Sequence, residues 1–434
     1  MKKIDGWYNK KRQYLHFDAP ISFKRIASIV SDPTTIAKRS FLPFLHTQIH
    51  SSRVFIDQEG KLSRKVKTRD IRYASHIDSH IYSFYSKNIS YEYEKIIKNN
   101  NIGNSILGFR SIKNNESTEG MCNIHFAKKA FDKIIDMAPC SAIAFDIEKY
   151  FDEIDHSILK ERWKATIQSS KLPSDHYAIY KSLTKFSYVD RDSIFKKFKI
   201  NENSKKNGVY RICNSNEFRD IVRGNKYIST NSHKKGIPQG SPISGLLSNI
   251  YLLNFDIELH RISEQFSASY FRYCDDILII CKEDDELFFK NIILAQLYKH
   301  KLCANNKKTV TRHFSTTDST VTCDNPLQYL GFIFNGKQTT IRSSSYNRFL
   351  HKMRNGVELA RQTRRKYNVI RNSKEQSPRA IYRRYIYSRY SYLGRRNFIS
   401  YAHKAARIMN ENAIRKQVKP LWRKLLERIQ SAES

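Results

Sequence analysis

Tyr270-Phe271-Arg272-Tyr273-Cys274-Asp275-Asp276-Ile277-Leu278-Ile279-Ile280 sets two adjacent carboxylates between aromatic and apolar runs. The pattern predicts a buried β-hairpin with Asp275 and Asp276 at its turn. Burying neighbouring carboxylates is costly unless a cation sits between them. A matching acid stands upstream in Ile143-Ala144-Phe145-Asp146-Ile147-Glu148-Lys149-Tyr150-Phe151-Asp152-Glu153-Ile154-Asp155-His156. There an apolar strand runs into Asp146, and an acidic, aromatic segment follows as if turning into a helix. Asp146 facing Asp275 and Asp276 from a neighbouring strand would make an oxygen-lined site for hard divalent ions. Mg²⁺ suits such a site because it binds few carboxylates and leaves positions for substrate phosphates.

A third segment, Gly236-Ile237-Pro238-Gln239-Gly240-Ser241-Pro242-Ile243-Ser244, lies between these two. It leads into a helix whose apolar positions Leu246, Ile250, Leu253 and Ile257 repeat at 0, 4, 7 and 11. Short β-branched and aromatic runs (Ser141–Phe145, Tyr270–Tyr273, Ile277–Ile280) alternate with helical patterns and imply a mixed helix-and-sheet core. From about Lys160 to His233 the chain is rich in Lys, Asn and Ser without a clear period, which reads as an insertion or mobile element. From Ile341 to Gln430 it carries 24 Lys/Arg against 4 Asp/Glu, a net +20. That segment reads as helical, with Tyr382, Tyr385, Ile386 and Leu393 near one face and Trp422, Leu425, Leu426 and Ile429 repeating at 0, 3, 4 and 7. Pro378 and Pro420 stand near expected helix starts.

The whole chain has 434 residues, 40% hydrophobic and 12% aromatic, which excludes wholesale disorder. Its 77 Lys/Arg against 41 Asp/Glu leave +36 at pH 7, an excess that raises the electrostatic cost of compaction unless a polyanion offsets it. Nucleic acid is the simplest such partner. A membrane surface is disfavoured, since there is no acylation signal or long apolar run. Met1-Lys2-Lys3 continues through Asp5 and Asn9 without an apolar leader. The seven cysteines form no Cys-x-x-Cys pair, which speaks against a zinc site or disulfide framework and for reduced thiols in a cytoplasm.

Taken together, the three motifs resemble those of bacterial reverse transcriptases. Asp146 matches the family's first catalytic aspartate and Tyr273-Cys274-Asp275-Asp276 its aromatic-x-Asp-Asp box. Pro238-Gln239-Gly240-Ser241 matches the motif that packs under the template and incoming nucleotide. Asn305-Asn306-Lys307-Lys308-Thr309 resembles its Asn-x-x-Lys-Thr stretch, and Leu327-Gln328-Tyr329-Leu330-Gly331-Phe332 its primer-grip hairpin. The resemblance implies an α+β right-hand polymerase with fingers, an antiparallel-sheet palm and an α-helical basic thumb. The expected divisions are an N-terminal extension over 1–60, fingers and palm over 61–340, and the thumb over 341–434.

It further implies an RNA-directed DNA polymerase using dNTPs, with catalytic Asp146, Asp275 and Asp276. These would bind two Mg²⁺ ions (Mn²⁺ as an alternative), with Ile147 as a further metal position. Ions roughly 3.5–4 Å apart would activate a 3′-hydroxyl and stabilise pyrophosphate. Lys67 and Arg69 (in Arg64-Lys65-Val66-Lys67-Thr68-Arg69-Asp70-Ile71-Arg72), Arg110 (in Gly108-Phe109-Arg110-Ser111), Gln239 and Lys308 are expected at the nucleotide. Phe151 matches the aromatic steric gate that excludes a ribose 2′-hydroxyl. RNA-directed RNA polymerases place a carboxylate near this position, and Asp152 is one residue on. Pro238, Gly240, Tyr273, Leu330 and Gly331 are expected at primer and template.

Tyr14-Leu15-His16-Phe17-Asp18, Tyr73-Ala74-Ser75-His76-Ile77-Asp78 and the compact length resemble stand-alone defence-associated reverse transcriptases, the type 2 class foremost. That resemblance implies a cytoplasmic enzyme copying a structured noncoding RNA, encoded nearby, into cDNA during antiphage defence. Two alternatives stand beside it: a template-independent or protein-primed DNA polymerase of the phage-abortive kind, and a non-catalytic RNA-binding scaffold.

Overall fold

In the computed structural model the described residues are 6–8, 12, 14–56, 60–113, 120–201 and 203–433. Met1–Asp5 and Asn9, on which the reading of the leader rested, lie outside them. A long hairpin, β1 (Phe44–Ile56) and β2 (Leu62–Tyr73), is followed by helices α1 (His76–Asn99) and α2 (Asn123–Met137). Strand β3 (Cys140–Asp146), helices α3 (His156–Thr166) and α4 (Ser174–Thr184), and strand β4 (Ser187–Asp190) come next. Helices α5 (Ser244–Tyr251) and α6 (Leu253–Gln265) precede the hairpin β5 (Ser269–Tyr273) and β6 (Asp276–Cys281). After α7 (Glu286–Lys299) come β7 (Val310–Thr317), β8 (Thr320–Cys323), β9 (Leu327–Tyr329), β10 (Phe332–Phe334) and β11 (Thr339–Ile341). The chain ends in helices α8 (Ser343–Asn372), α9 (Arg383–Tyr390), α10 (Phe398–Ile408), α11 (Asn412–Val418) and α12 (Pro420–Glu433).

The central sheet runs β5-β6-β3-β7-β8, antiparallel throughout. Its inner strands β3 and β6 read as near-continuous apolar runs because both their faces are covered. Along β6, Ile277 and Ile279 enter one core with α1, α3, α5 and α6, while Leu278 and Ile280 enter a second with α2 and the C-terminal helices. The period of two thus splits one strand between two cores. Helices and antiparallel sheet make this an α+β fold, as expected.

Two expectations about the flanks need correction. The stretch from Lys160 to His233 is built rather than loose. Trp163 is fully buried, Ile179 and Leu183 join the same core, and β4 pairs in parallel with β1 through Phe44 and Tyr188. Its apolar residues are interspersed with solvated Lys, Asn and Ser, which hides the period. In the basic C-terminal segment, the face drawn through Tyr382, Tyr385, Ile386 and Leu393 is not a core face. Ile386 alone of these is buried. Pro420 does open α12, whereas Pro378 precedes α9 by several residues. In α12, Leu425 and Ile429 are buried and Leu426 is exposed.

The expected divisions cut across packing. Residue 60 falls in the turn between β1 and β2, and Phe349, Met353, Leu421 and Leu425 share a core with Phe131, Phe332 and Phe334. No helix among the described residues is long and apolar enough to cross a membrane.

The N-terminal segment is tied to the start of α1 by charge. Asp18 accepts hydrogen bonds from the His76 and Ile77 backbone N–H groups, and its Oδ1 lies 3.0 Å from His76 Nδ1. Buried His16 accepts from the Phe17 N–H at Nδ1, so its proton is on Nε2, 3.3 Å from the Tyr73 carbonyl. Burial holds His16 down to about 4. A depressed folded-state value means that the unfolded chain binds the proton first, so this contribution is complete above pH 6.5 and fades as pH falls toward 4. We expect the melting temperature to drop between pH 7 and pH 5, with His16 accounting for about 2 kcal/mol. His16→Gln should flatten the dependence in thermal melts.

Candidate active site

Strand β3 ends at Asp146 and β6 begins at Asp276, and the ladder sets these residues directly opposite one another. Asp275 lies on the β5–β6 turn beside Cys274, whose φ is +60°. A Cβ on Gly108 would come within 2.7 Å of the Cys274 nitrogen, so the neighbouring loop must be glycine there. Past Asp146 the backbone is clamped from two sides. The Ile147 N–H donates to the Asp275 carbonyl (3.0 Å), the Glu148 N–H to that of Cys303 (2.9 Å), and the Asn305 N–H to that of Asp146 (2.7 Å).

That last bond hangs the Asn305–Thr309 turn over the site. Lys308 there donates to both Asp146 oxygens, at 2.5 and 2.6 Å. Burial, then repulsion from Asp275 and Asp146, pushes the Asp276 carboxyl up to about 7, against the pull of Lys308 and Arg342. Among the described residues no three acidic, histidine or cysteine side chains converge at metal-binding spacing. The donors are all oxygens, gathered from Asp146, Asp275 and Asp276. That chemistry fits a hard divalent ion.

The other expected residues divide into those brought here and those kept away. Lys67, on β2, is lowered by burial and then by Lys308 and Arg69, while Asp146 and Asp275 oppose the shift, so the hairpin strand faces the carboxylates. Arg69 lies two residues on in the same strand, paired with Ile49. The Pro238–Gly240 loop is seated against β2. The Arg72 N–H donates to the Gln239 carbonyl (2.8 Å), and Gly240, at φ +116°, leaves room that a Cβ would lose to the Arg72 carbonyl at 2.9 Å. The Pro238 carbonyl accepts from the Ser244 hydroxyl. Half-buried Phe151 meets Phe109 edge-on at 6.3 Å, and the Phe109 ring covers Gly245.

Half-buried Tyr273 packs on Phe126. Leu330 and Gly331 form the β9–β10 turn, where the Leu330 carbonyl accepts from Asn123 and the Gly331 carbonyl from the Arg342 N–H. Arg110 is the exception. Its guanidinium donates to both Glu94 oxygens and to the Gly103 and Ile106 carbonyls, which fill its hydrogen-bonding fork away from the carboxylates. In this structure Arg110 pins a loop to α1, and the adjacent Phe109 is the residue turned out.

Residues 82–334, more than half of the chain, match the family model described as reverse transcriptase (RNA-dependent DNA polymerase). The chain belongs to the reverse transcriptase family. Among solved structures it is similar to apo telomerase from Candida tropicalis truncated from the C-terminal domain, at 12% identity and a TM-score of 0.43. That alignment covers 68% of this chain and 57% of the other. It is also similar to Candida albicans telomerase in complex with a TWJ fragment of telomeric RNA, at 11% identity and a TM-score of 0.44, over 94% of this chain and 65% of the other. The reverse transcriptase thus spans less than two thirds of either telomerase chain. A search of curated proteins finds no match.

Beneath the turn of this reverse transcriptase lies a network that motif reading passed over. Arg272 is fully buried and donates through Nε and Nη2 to Asp256 on α6, at 2.6 and 2.5 Å. Its Nη1 donates to the Cys274 carbonyl and to Asn249 Oδ1, both at 3.1 Å. Tyr270 donates to Asp256, and Asn249 to the Gly108 carbonyl. Burial alone would discourage the charge on Arg272, but Asp256 overcomes this and holds it well above its ordinary value.

The guanidinium therefore fixes the turn from below, a role that sequence could have hinted at only through a cation amid a buried strand. Arg272→Met should destabilise the protein by about 3–5 kcal/mol, because Asp256 is left buried and unpaired. Adding Asp256→Leu should restore much of the melting temperature. It should not restore primer extension, because the Cys274 carbonyl still lacks its donor.

Proposed function

We propose that this RNA-directed DNA polymerase performs nucleotidyl transfer from dNTPs at Asp146, Asp275 and Asp276, copying a bound structured noncoding RNA into cDNA. The observation that carries the reading is the Asp146–Asp276 pairing at the ends of adjacent antiparallel strands, with Asp275 on the turn. Asp146, Asp275, Asp276 and the Ile147 position would hold two Mg²⁺ ions. Those ions, when bound, would acidify the primer 3′-hydroxyl and neutralise the departing pyrophosphate.

The chain's own cations do the remaining electrostatic work. Lys67 and Arg69 on β2 receive the triphosphate, and Lys308 exchanges Asp146 for a phosphate oxygen. Gln239, Pro238 and Gly240, anchored to β2, support the nascent base pair. Phe151, braced by Phe109, closes the space a 2′-hydroxyl would need. Tyr273, Leu330 and Gly331 line the primer end. In this reading the β1–β2 hairpin belongs to the fingers, the central sheet is the palm, and the helices from Ser343 onward are the thumb.

A role in antiphage defence, of the type 2 kind, rests on the Tyr14–Asp18 and Tyr73–Asp78 segments. The +36 charge supports a polyanionic partner held mainly by phosphate contacts.

Sequencing of nucleic acid co-purified from cells tests the reading. Wild type should carry one discrete RNA and complementary DNA, whereas Asp275→Ala/Asp276→Ala should keep the RNA and lose the DNA. DNA without a complementary RNA would instead indicate untemplated synthesis. In primer extension, Phe151→Ala should raise rNTP use relative to dNTP by about 10–100-fold, the range set by one steric contact.

A further inference from the structure

From Gln376 to Asn410 the chain contains no Asp or Glu but eight Lys/Arg and six Tyr. Of the nearby acids, Glu411 accepts from the Thr339 and Ala413 N–H groups, and Glu433 pairs with Arg383. The fold sorts the tyrosines. Tyr387 turns in to Trp422, and Tyr390 fills the notch left by Gly356, where a Cβ would strike its ring. Tyr382, Tyr385 and Tyr392 turn out, 70%, 56% and 57% exposed, with Leu393 at 60%.

Tyr385 and Arg389 share a face of α9 at a spacing of four, and Tyr382, the residue before the helix, precedes Tyr385 by three. Two of the exposed rings are held in place. Arg389 lies 5.2 Å from the Tyr385 ring centre and donates to its hydroxyl, and Tyr392 meets Trp422 edge-on at 5.2 Å. Exposed aromatic faces cost solvation in the free protein, and rings fixed beforehand lose little entropy on contact. Set in a stretch rich in cations and without an acid of its own, they match a ligand with flat apolar faces and a polyanionic backbone.

We propose that Tyr382, Tyr385 and Tyr392, with Arg389, form a stacking platform for an unpaired RNA segment, distinct from template–primer duplex at the carboxylates. Paired bases hide their faces, so a duplex would use the arginines and leave the rings idle. The assignment to RNA rests on the proposed function above.

Binding of the full chain to a labelled unstructured RNA oligonucleotide, and to an RNA–DNA hybrid duplex, is measured across a salt series. Tyr382→Ser/Tyr385→Ser/Tyr392→Ser should weaken single-strand binding about tenfold or more, with the salt slope unchanged and duplex binding intact. The three Tyr→Phe changes should keep affinity. Arg389→Gln should lower the single-strand salt slope by about 0.7.

No loss in the serine variant, equal loss on the duplex, or equal loss in the phenylalanine variant would overturn the platform. So would binding to anionic phospholipid vesicles that the serine changes abolish while RNA binding persists. Primer extension on a short preformed template–primer should survive the serine changes. Its absence in wild type would count against the polymerase reading, while the single-strand measurement would still judge the platform.

Discussion

Three carboxylates gathered at the junction of β3 and β6 repel one another, and much of the surrounding structure answers that repulsion. Cations reach the cluster from separate parts of the chain. Lys308 comes from the turn hung on the Asp146 carbonyl, Lys67 from the long hairpin, and Arg342 from the boundary between β11 and α8. The sheet can hold such a cluster because β3 and β6, which carry Asp146 and Asp276, are buried on both faces and cannot splay apart. Charge repulsion is thereby set against packing from two cores, and packing prevails.

A second buried charge balances the first from below. Arg272 and Asp256 neutralise each other, and the remaining guanidinium hydrogens reach the Cys274 carbonyl and Asn249. An ion pair of this kind is poor evidence for stability, since a well-packed apolar pair can replace it at little cost. Its value here is geometric. An apolar replacement could fill the space, but it could not donate to a carbonyl at the turn that carries Asp275. The network also joins the turn to Gly108 through Asn249, so the loop that presents Phe109 and the turn that presents the acids are set by one group.

What could be read in advance follows the range of the interactions. The β5–β6 turn was legible because two apolar runs interrupted by an acid pair are a local signal. The Asp146 strand and the Pro238–Gly240 loop were legible for the same reason. Arg272 and Asp256 were not, because their partnership depends on how α6 packs against β5, and neither residue announces burial. Phe109 and Arg110 show the same limit at one-residue scale. The stretch marks a place in the fold, but the backbone at Phe109, with φ +55°, decides which side chain turns outward. In the Lys160–His233 stretch, buried residues such as Trp163, Ile179 and Leu183 alternate with solvated Lys and Ser, and composition averages that contrast away.

Helical spacing carries a related ambiguity, and α9 shows why it matters. A repeat says which residues share a face; it does not say whether that face is turned to the core or to water. Tyr382 and Tyr385 share a face by spacing, and an apolar-face reading would bury them. Burial there would have required Arg389, on the same face, to enter a core without an acid, at a cost far above what two rings return. The core instead takes Ile386 and the inward-turned Tyr387 and Tyr390, and the arginine keeps its neighbours in solvent. The charge pattern, rather than the hydrophobic pattern, thus determines the orientation of the helix. A stretch with eight cations and no acid can fold stably only with its cationic face outward, and the aromatic rings on that face are exposed with it.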